Sequence, residues 1–219
     1  MDFKLFFEQY LALRDKADQA FKKVTEQFPD CVSCKIGCAD CCHALFDLSL
    51  IEALYINHQF NKNFDGQTRE RLLEKANRAD RKIYKIKRQA HKDFEAGKTE
   101  AEILEKMAGI KVRCPMLDDE NRCEIYQFRP ITCRLYGIPT AIEGKAHTCG
   151  LSGFEPGKPY PTVNLAQIHQ RLYQISLELA AGIKSRYPGL AQVLVPLSMA
   201  LLTDYNDEYL GVKSAAESD

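Results

Sequence analysis

Five of the nine cysteines of this chain fall in one short run, Cys31-Val32-Ser33-Cys34-Lys35-Ile36-Gly37-Cys38-Ala39-Asp40-Cys41-Cys42. The run has neither the 3.6-residue period of an amphipathic helix nor the alternation of a strand, so it reads as a loop. Gaps of two or three residues let a turn direct neighbouring thiolates at one centre, and Gly37 permits the tight backbone such a turn needs. Cys114, Cys123, Cys133 and Cys149 are too widely spaced to form a compact site alone. They are expected to fold over the first group.

A chemical reason for so many cysteines depends on the compartment. The opening residues Met1 to Glu8 have neither the apolar core nor the cleavage site of a signal peptide, and the apolar run Ala191 to Leu202 is short and broken by Pro196. A cytoplasmic protein with no membrane span is expected. In a reducing cytosol clustered cysteines are more often metal ligands or redox catalysts than disulfides, and an odd count prevents complete internal pairing. The 30 basic and 30 acidic side chains cancel without a segregated patch, so no nucleic-acid or membrane partner is indicated.

The rest of the chain reads as scaffold. Apolar residues recur at helical spacing from Phe3 to Phe28, ending at Pro29-Asp30. Ser49-Leu50-Ile51-Glu52 has the spacing of a capping box, which predicts a helix from Ser49 to about Phe60. Helices are also predicted over Gln67 to Phe94, Thr99 to Met107, Asn164 to Tyr187 and Ala191 to Leu202. Cys114 to Pro161, rich in proline and glycine, reads as a second loop region. The expected fold is mainly α: a single domain over residues 1–219, a helical scaffold with two cysteine-rich, loop-dominated metal-binding regions at 31–42 and 114–149.

Eight cysteines are the candidate metal ligands: Cys34, Cys38, Cys41, Cys42, Cys114, Cys123, Cys133 and Cys149. Eight already satisfy two four-sulfur sites, which leaves Cys31 as the least secure ligand. Adjacent Cys41 and Cys42 suit different metal atoms better than one tetrahedral ion. Ordinary buried cysteines are common in cores, but nine in this arrangement outweigh that bland reading. Zinc sites usually show two short Cys-x2-Cys pairs, whereas this chain joins a dense group to distant cysteines, Cys114-Pro115 among them. That pattern favours an iron–sulfur cluster, 4Fe-4S, with zinc as the alternative. Arg129 and Arg134 are read first as loop braces, Tyr126 as a packing residue, and His43 and His147 as polar residues rather than ligands.

Cys34-x3-Cys38-x2-Cys41-Cys42, then Cys114-Pro115-Met116-Leu117, then Cys123-Glu124-Ile125-Tyr126-x2-Arg129-Pro130-x2-Cys133-Arg134 resembles the cysteine-cluster family of zinc- or iron-chelating domains. That family also includes the flagellin lysine N-methylase. The resemblance spans about Cys31 to Cys149, with an extra Cys31 and a three-residue gap before Cys38 as departures. It implies metal binding more strongly than it implies a reaction.

Three functional readings follow. The first is a metal-cluster protein with a structural, redox or metal-handling role, whose partners are a metal ion or cluster and, as a further option, another protein. Within it, a zinc-stabilised interaction domain is the alternative. The second is an S-adenosylmethionine-dependent lysine methylase-like enzyme; no glycine-rich nucleotide loop, P-loop or other catalytic motif supports it. The third, a thiol-redox protein using Cys31-x2-Cys34, lacks the strand-turn-helix context and ranks last.

Overall fold

A computed structural model describes residues 2–142 and 144–212. The order of elements is α1 (Lys4–Gln27), β1 (Asp47–Ser49), α2 (Leu50–Asn63), α3 (Gly66–Glu95), α4 (Glu100–Ala108), α5 (Ile131–Leu135), β2 (Thr140–Ile142), β3 (Lys145–His147), β4 (Val163–Asn164), α6 (Leu165–Gly182), β5 (Leu194–Pro196), α7 (Leu197–Leu202) and α8 (Asp207–Leu210). Helices dominate, as the periodicity predicts. Among the described residues no helix is long and apolar enough to cross a membrane.

The core is built where the apolar stripes meet. Tyr10 and Leu13 of α1, Ile51 and Leu54 of α2, Leu72 and Ala76 of α3, Ile175 and Leu179 of α6, and Ala200 and Leu201 of α7 are buried together. Burial of such side chains contributes about 1.5–3 kcal/mol each before entropy is counted. The helices supply most of this core, and Met116, Ile125, Ile131 and Leu135 of the cysteine-bearing stretch add to it.

Two strand-then-helix units face each other across this core. β1 leads into α2 and β5 into α7, and the strands pair antiparallel through Asp47↔Pro196, Leu48↔Val195 and Ser49↔Leu194. This corrects the expected continuous helix over Ala191 to Leu202. Pro196 has no N–H to donate and sits at the N-cap of α7 at φ −64°, while Val195 before it is held in the strand. A second small sheet orders β3-β2-β4, with β2 and β3 antiparallel and β2 and β4 parallel. Together with α5 it gives the stretch 114–161 more regular structure than its proline content suggests. Helix α6 ends at Gly182 rather than near Tyr187: Lys184 takes a left-handed φ of 52°, and the Ser185 amide turns back to the Ala180 carbonyl.

The capping box at Ser49 does not form. The Ser49 hydroxyl is buried without a partner, and the free Ile51 amide of α2 instead donates to the Ser176 hydroxyl of α6, 3.2 Å away. Glu52 points into the core rather than back along its own helix. The box that does form is Thr99 with Glu102 at the start of α4.

Candidate metal centre

One cavity of about 700 Å3 lies between the cysteine loops and the face of the scaffold formed by Ile83 of α3 and Leu197 of α7. All eight sequence-predicted cysteines line it: Cys34, Cys38, Cys41, Cys42, Cys114, Cys123, Cys133 and Cys149. Cys31 does not. It packs at the edge of the core, and its carbonyl accepts the Gly153 amide at 2.9 Å. None of the nine is in a disulfide.

Each loop is positioned by identifiable bonds. Gly37, at φ +85°, makes the turn closed by the Cys38 amide on the Lys35 carbonyl, and a 3-10 turn over Asp40–His43 presents Cys41 and Cys42. The Cys114 amide donates to the Cys42 carbonyl at 2.7 Å and the Val112 amide to the His43 carbonyl at 3.1 Å. Cys114 and Cys123 belong to one reversal, where Leu117 bridges Cys123 and the Glu124 amide donates to the Met116 carbonyl. That reversal is tied to α3 by Lys75, whose ammonium donates to the Leu117 carbonyl at 2.7 Å, and by the Arg71–Glu124 ion pair at 2.8 Å.

Cys133 rides on α5, whose N-cap is Pro130 and has no side chain able to cap. The carboxyl of Glu52 caps the helix instead, because Oε1 accepts the Ile131 amide at 2.7 Å and the Tyr10 hydroxyl at 3.1 Å. Beside it, buried Arg134 donates to the Arg129 and Gln127 carbonyls and pairs with Asp18 at 2.7 Å. Arg134 is thus a brace. Arg129 stacks on the Tyr126 ring, 3.8 Å from its centroid, and donates to the Tyr126 carbonyl.

On the other side of the cavity, the Cys34 thiol donates to the Tyr136 carbonyl at 3.6 Å. Gly137 has to be glycine, because its φ is +106° and a Cβ there would overlap the Cys34 sulfur. The Cys149 thiol lies 3.7 Å from Oδ2 of Asp40, which also accepts the Tyr136 hydroxyl at 2.8 Å. Lys111 pairs with the same carboxylate and, with Tyr136, holds its pKa below the usual carboxylate range. The Ser33 hydroxyl donates to the Leu151 carbonyl at 2.6 Å.

The electrostatics suit bound metal. The lining contains eight thiols and the cations Lys35, Arg113, Arg122, Arg129 and Arg134, and no histidine or carboxylate among the described residues. A donor set dominated by sulfur selects thiophilic metals, and the Arg129 guanidinium favours the thiolate at Cys34, Cys41 and Cys123. The sulfurs of Cys41 and Cys42 are 3.9 Å apart. The hydrogen bond from Cys42 and the charge of Arg129 bring Cys41 down to about 7, and that pairing pushes Cys42 up. Burial keeps Cys133 up and raises Cys114 to about 12, so metal entering there must displace protons.

Among the described residues no three His, Cys, Asp or Glu side chains converge closely enough to hold a single ion. The thiols surround a volume rather than a point. The histidines stand aside: His43 bonds the Ala39 carbonyl within its own turn, and His147 is exposed on β3. Sequence reading misses Asp40, Tyr136 and Gly137, and it gives Glu52 only a place in the capping-box motif of α2. No motif marks what these residues do at the site, because each acts on a segment distant in the chain.

No curated protein and no solved structure matches the chain. A family model does match, over residues 33–150, and its description is "CxxCxxCC: Putative zinc- or iron-chelating domain". The match covers more than half of the chain and encloses all eight cavity cysteines. With the thiol-lined cavity, it makes this chain a metal-binding member of the CxxCxxCC family of zinc- or iron-chelating domains.

Proposed function

We propose that this chain is a cytoplasmic iron–sulfur protein, with thiolates of the eight-cysteine cavity holding 4Fe-4S metal. The observation that carries this reading is the ring of eight thiols around some 700 Å3, a volume that suits a cluster bringing its own sulfide. A zinc ion with Zn–S bonds of about 2.3 Å draws its sulfurs to about 3.8 Å from one another, whereas a cluster carries its own sulfide and keeps its cysteines further apart. Thiolate ligation with cations close by also suits a redox or metal-handling role, because charge around the sulfurs tunes a cluster's potential.

One observation favours zinc as a second reading: the Cys41–Cys42 sulfur separation of 3.9 Å is close to the edge of a zinc tetrahedron. Purification without oxygen from iron-supplied cells separates the two. A brown protein with iron and equivalent acid-labile sulfide is expected. Colourless protein with stoichiometric zinc and no sulfide would establish the second reading and discard the first.

A further inference from the structure

The loops around the cavity are held by two separate sets of bonds. One set joins 42–43 to 112–114 and closes the reversal through 123; Glu52 holds the adjoining helix of Cys133. The other joins 31–34 to 136–137 and 149–153, with Asp40 bridging Tyr136 and Cys149. The two sets meet at the Cys41–Cys42 peptide. A set of thiols held by one framework can close on a metal without moving the other framework. Cys42 belongs to the first through its carbonyl, bonded by the Cys114 amide at 2.7 Å. Cys41 directly follows Asp40, whose carboxylate holds the Tyr136 hydroxyl and the Cys149 thiol, and it supplies the fourth thiol that Cys34, Cys38 and Cys149 lack.

We propose that the cysteines divide into two four-thiol metal centres, an inner one of Cys42, Cys114, Cys123 and Cys133 and an outer one of Cys34, Cys38, Cys41 and Cys149. The adjacent pair Cys41 and Cys42 sends one ligand to each. The proposal rests on the metal-binding reading above and adds the number of centres and the assignment of each thiol. Adjacent side chains on one short 3-10 turn are well suited to this division, since they leave the backbone in different directions while their sulfurs remain neighbours.

The test is total iron and zinc per chain in the full-length protein, purified without oxygen, with helical circular dichroism as the check on folding. Cys114→Ser/Cys123→Ser and Cys34→Ser/Cys149→Ser are each expected to hold half the wild-type metal. In the Cys34→Ser/Cys149→Ser background, adding Cys42→Ser should remove the remainder, while adding Cys41→Ser should remove nothing more. If the inner double variant loses its helical signal, the outer background and its two additions decide alone. Complete loss of metal from a folded double variant, or equal effects of Cys41→Ser and Cys42→Ser in that background, would overturn the division while leaving a metal protein. Wild-type protein that takes up neither metal would instead remove the functional reading, and both centres with it.

Discussion

Removing the Glu52 carboxyl would leave the Ile131 amide and the Tyr10 hydroxyl facing each other in the core without an acceptor. Each buried donor left unsatisfied costs about 1–3 kcal/mol, so Glu52→Leu should destabilise by about 2–6 kcal/mol and loosen the helix that carries Cys133. Glu52→Gln keeps an acceptor oxygen and isolates the charge. Burial raises the Glu52 pKa above the usual 4.5, outweighing the opposing Ile131 and Tyr10 hydrogen bonds and the Arg134 charge. The native state therefore holds this proton more tightly than the unfolded chain does. That contribution to stability is complete below about pH 4.5 and is lost as pH rises through the raised folded value. Urea midpoints should show Glu52→Gln gaining on the wild type between pH 4 and pH 7; a constant difference across that range would refute the assignment. Glu52 is legible in the sequence only as a helix-start residue. Its service to Ile131 depends on a contact 79 positions away, which no local pattern encodes.

At the scale of elements, the start of α2 separates what is local from what is not. The Ser-x-x-Glu spacing correctly marks where the helix begins, because Leu50 to Asn63 follows directly. It misidentifies the capping atom, since α6 brings the buried Ser176 hydroxyl to the Ile51 amide. Ser176→Ala should therefore cost about 0.5–2 kcal/mol, the usual worth of a cap, whereas Ser49→Ala should be neutral or slightly stabilising because its hydroxyl is buried unpaired. Thermal melts of both variants measure this, and the reverse order would restore the local capping box. The helices are readable because 3.6-residue periodicity is a property of a segment alone. The strands β1 to β5 are not, because each is two or three residues long and exists through its partner. Thr99 and Glu102 form a complete box at α4, where the side chains and amides that satisfy one another lie three residues apart.

For the molecule as a whole, the core joins α1, α2, α3, α6 and α7 without a cysteine at its centre. Chelation should therefore loosen the loops and spare the helices. Limited proteolysis after metal removal is expected to cut within 31–42 and 112–153 while helical circular dichroism changes little; unchanged protection there would mean that the metal does not staple the loops. The eight cavity cysteines can be singled out in the sequence because soft ligands at such density have few other uses in a helical chain. Their convergence on one cavity cannot, since it depends on bonds from Asp40, Tyr136 and Cys42 to segments about seventy or more residues away. That separation also has a consequence in time. At a synthesis rate of about 5–20 residues per second, roughly 6–23 s pass between the making of Cys34 and of Cys149. Throughout that interval Cys34, Cys38, Cys41 and Cys42 lack the partner segment that closes the cavity around them. A metal that needs ligands from both cysteine segments therefore has no complete site until the last of them has been made.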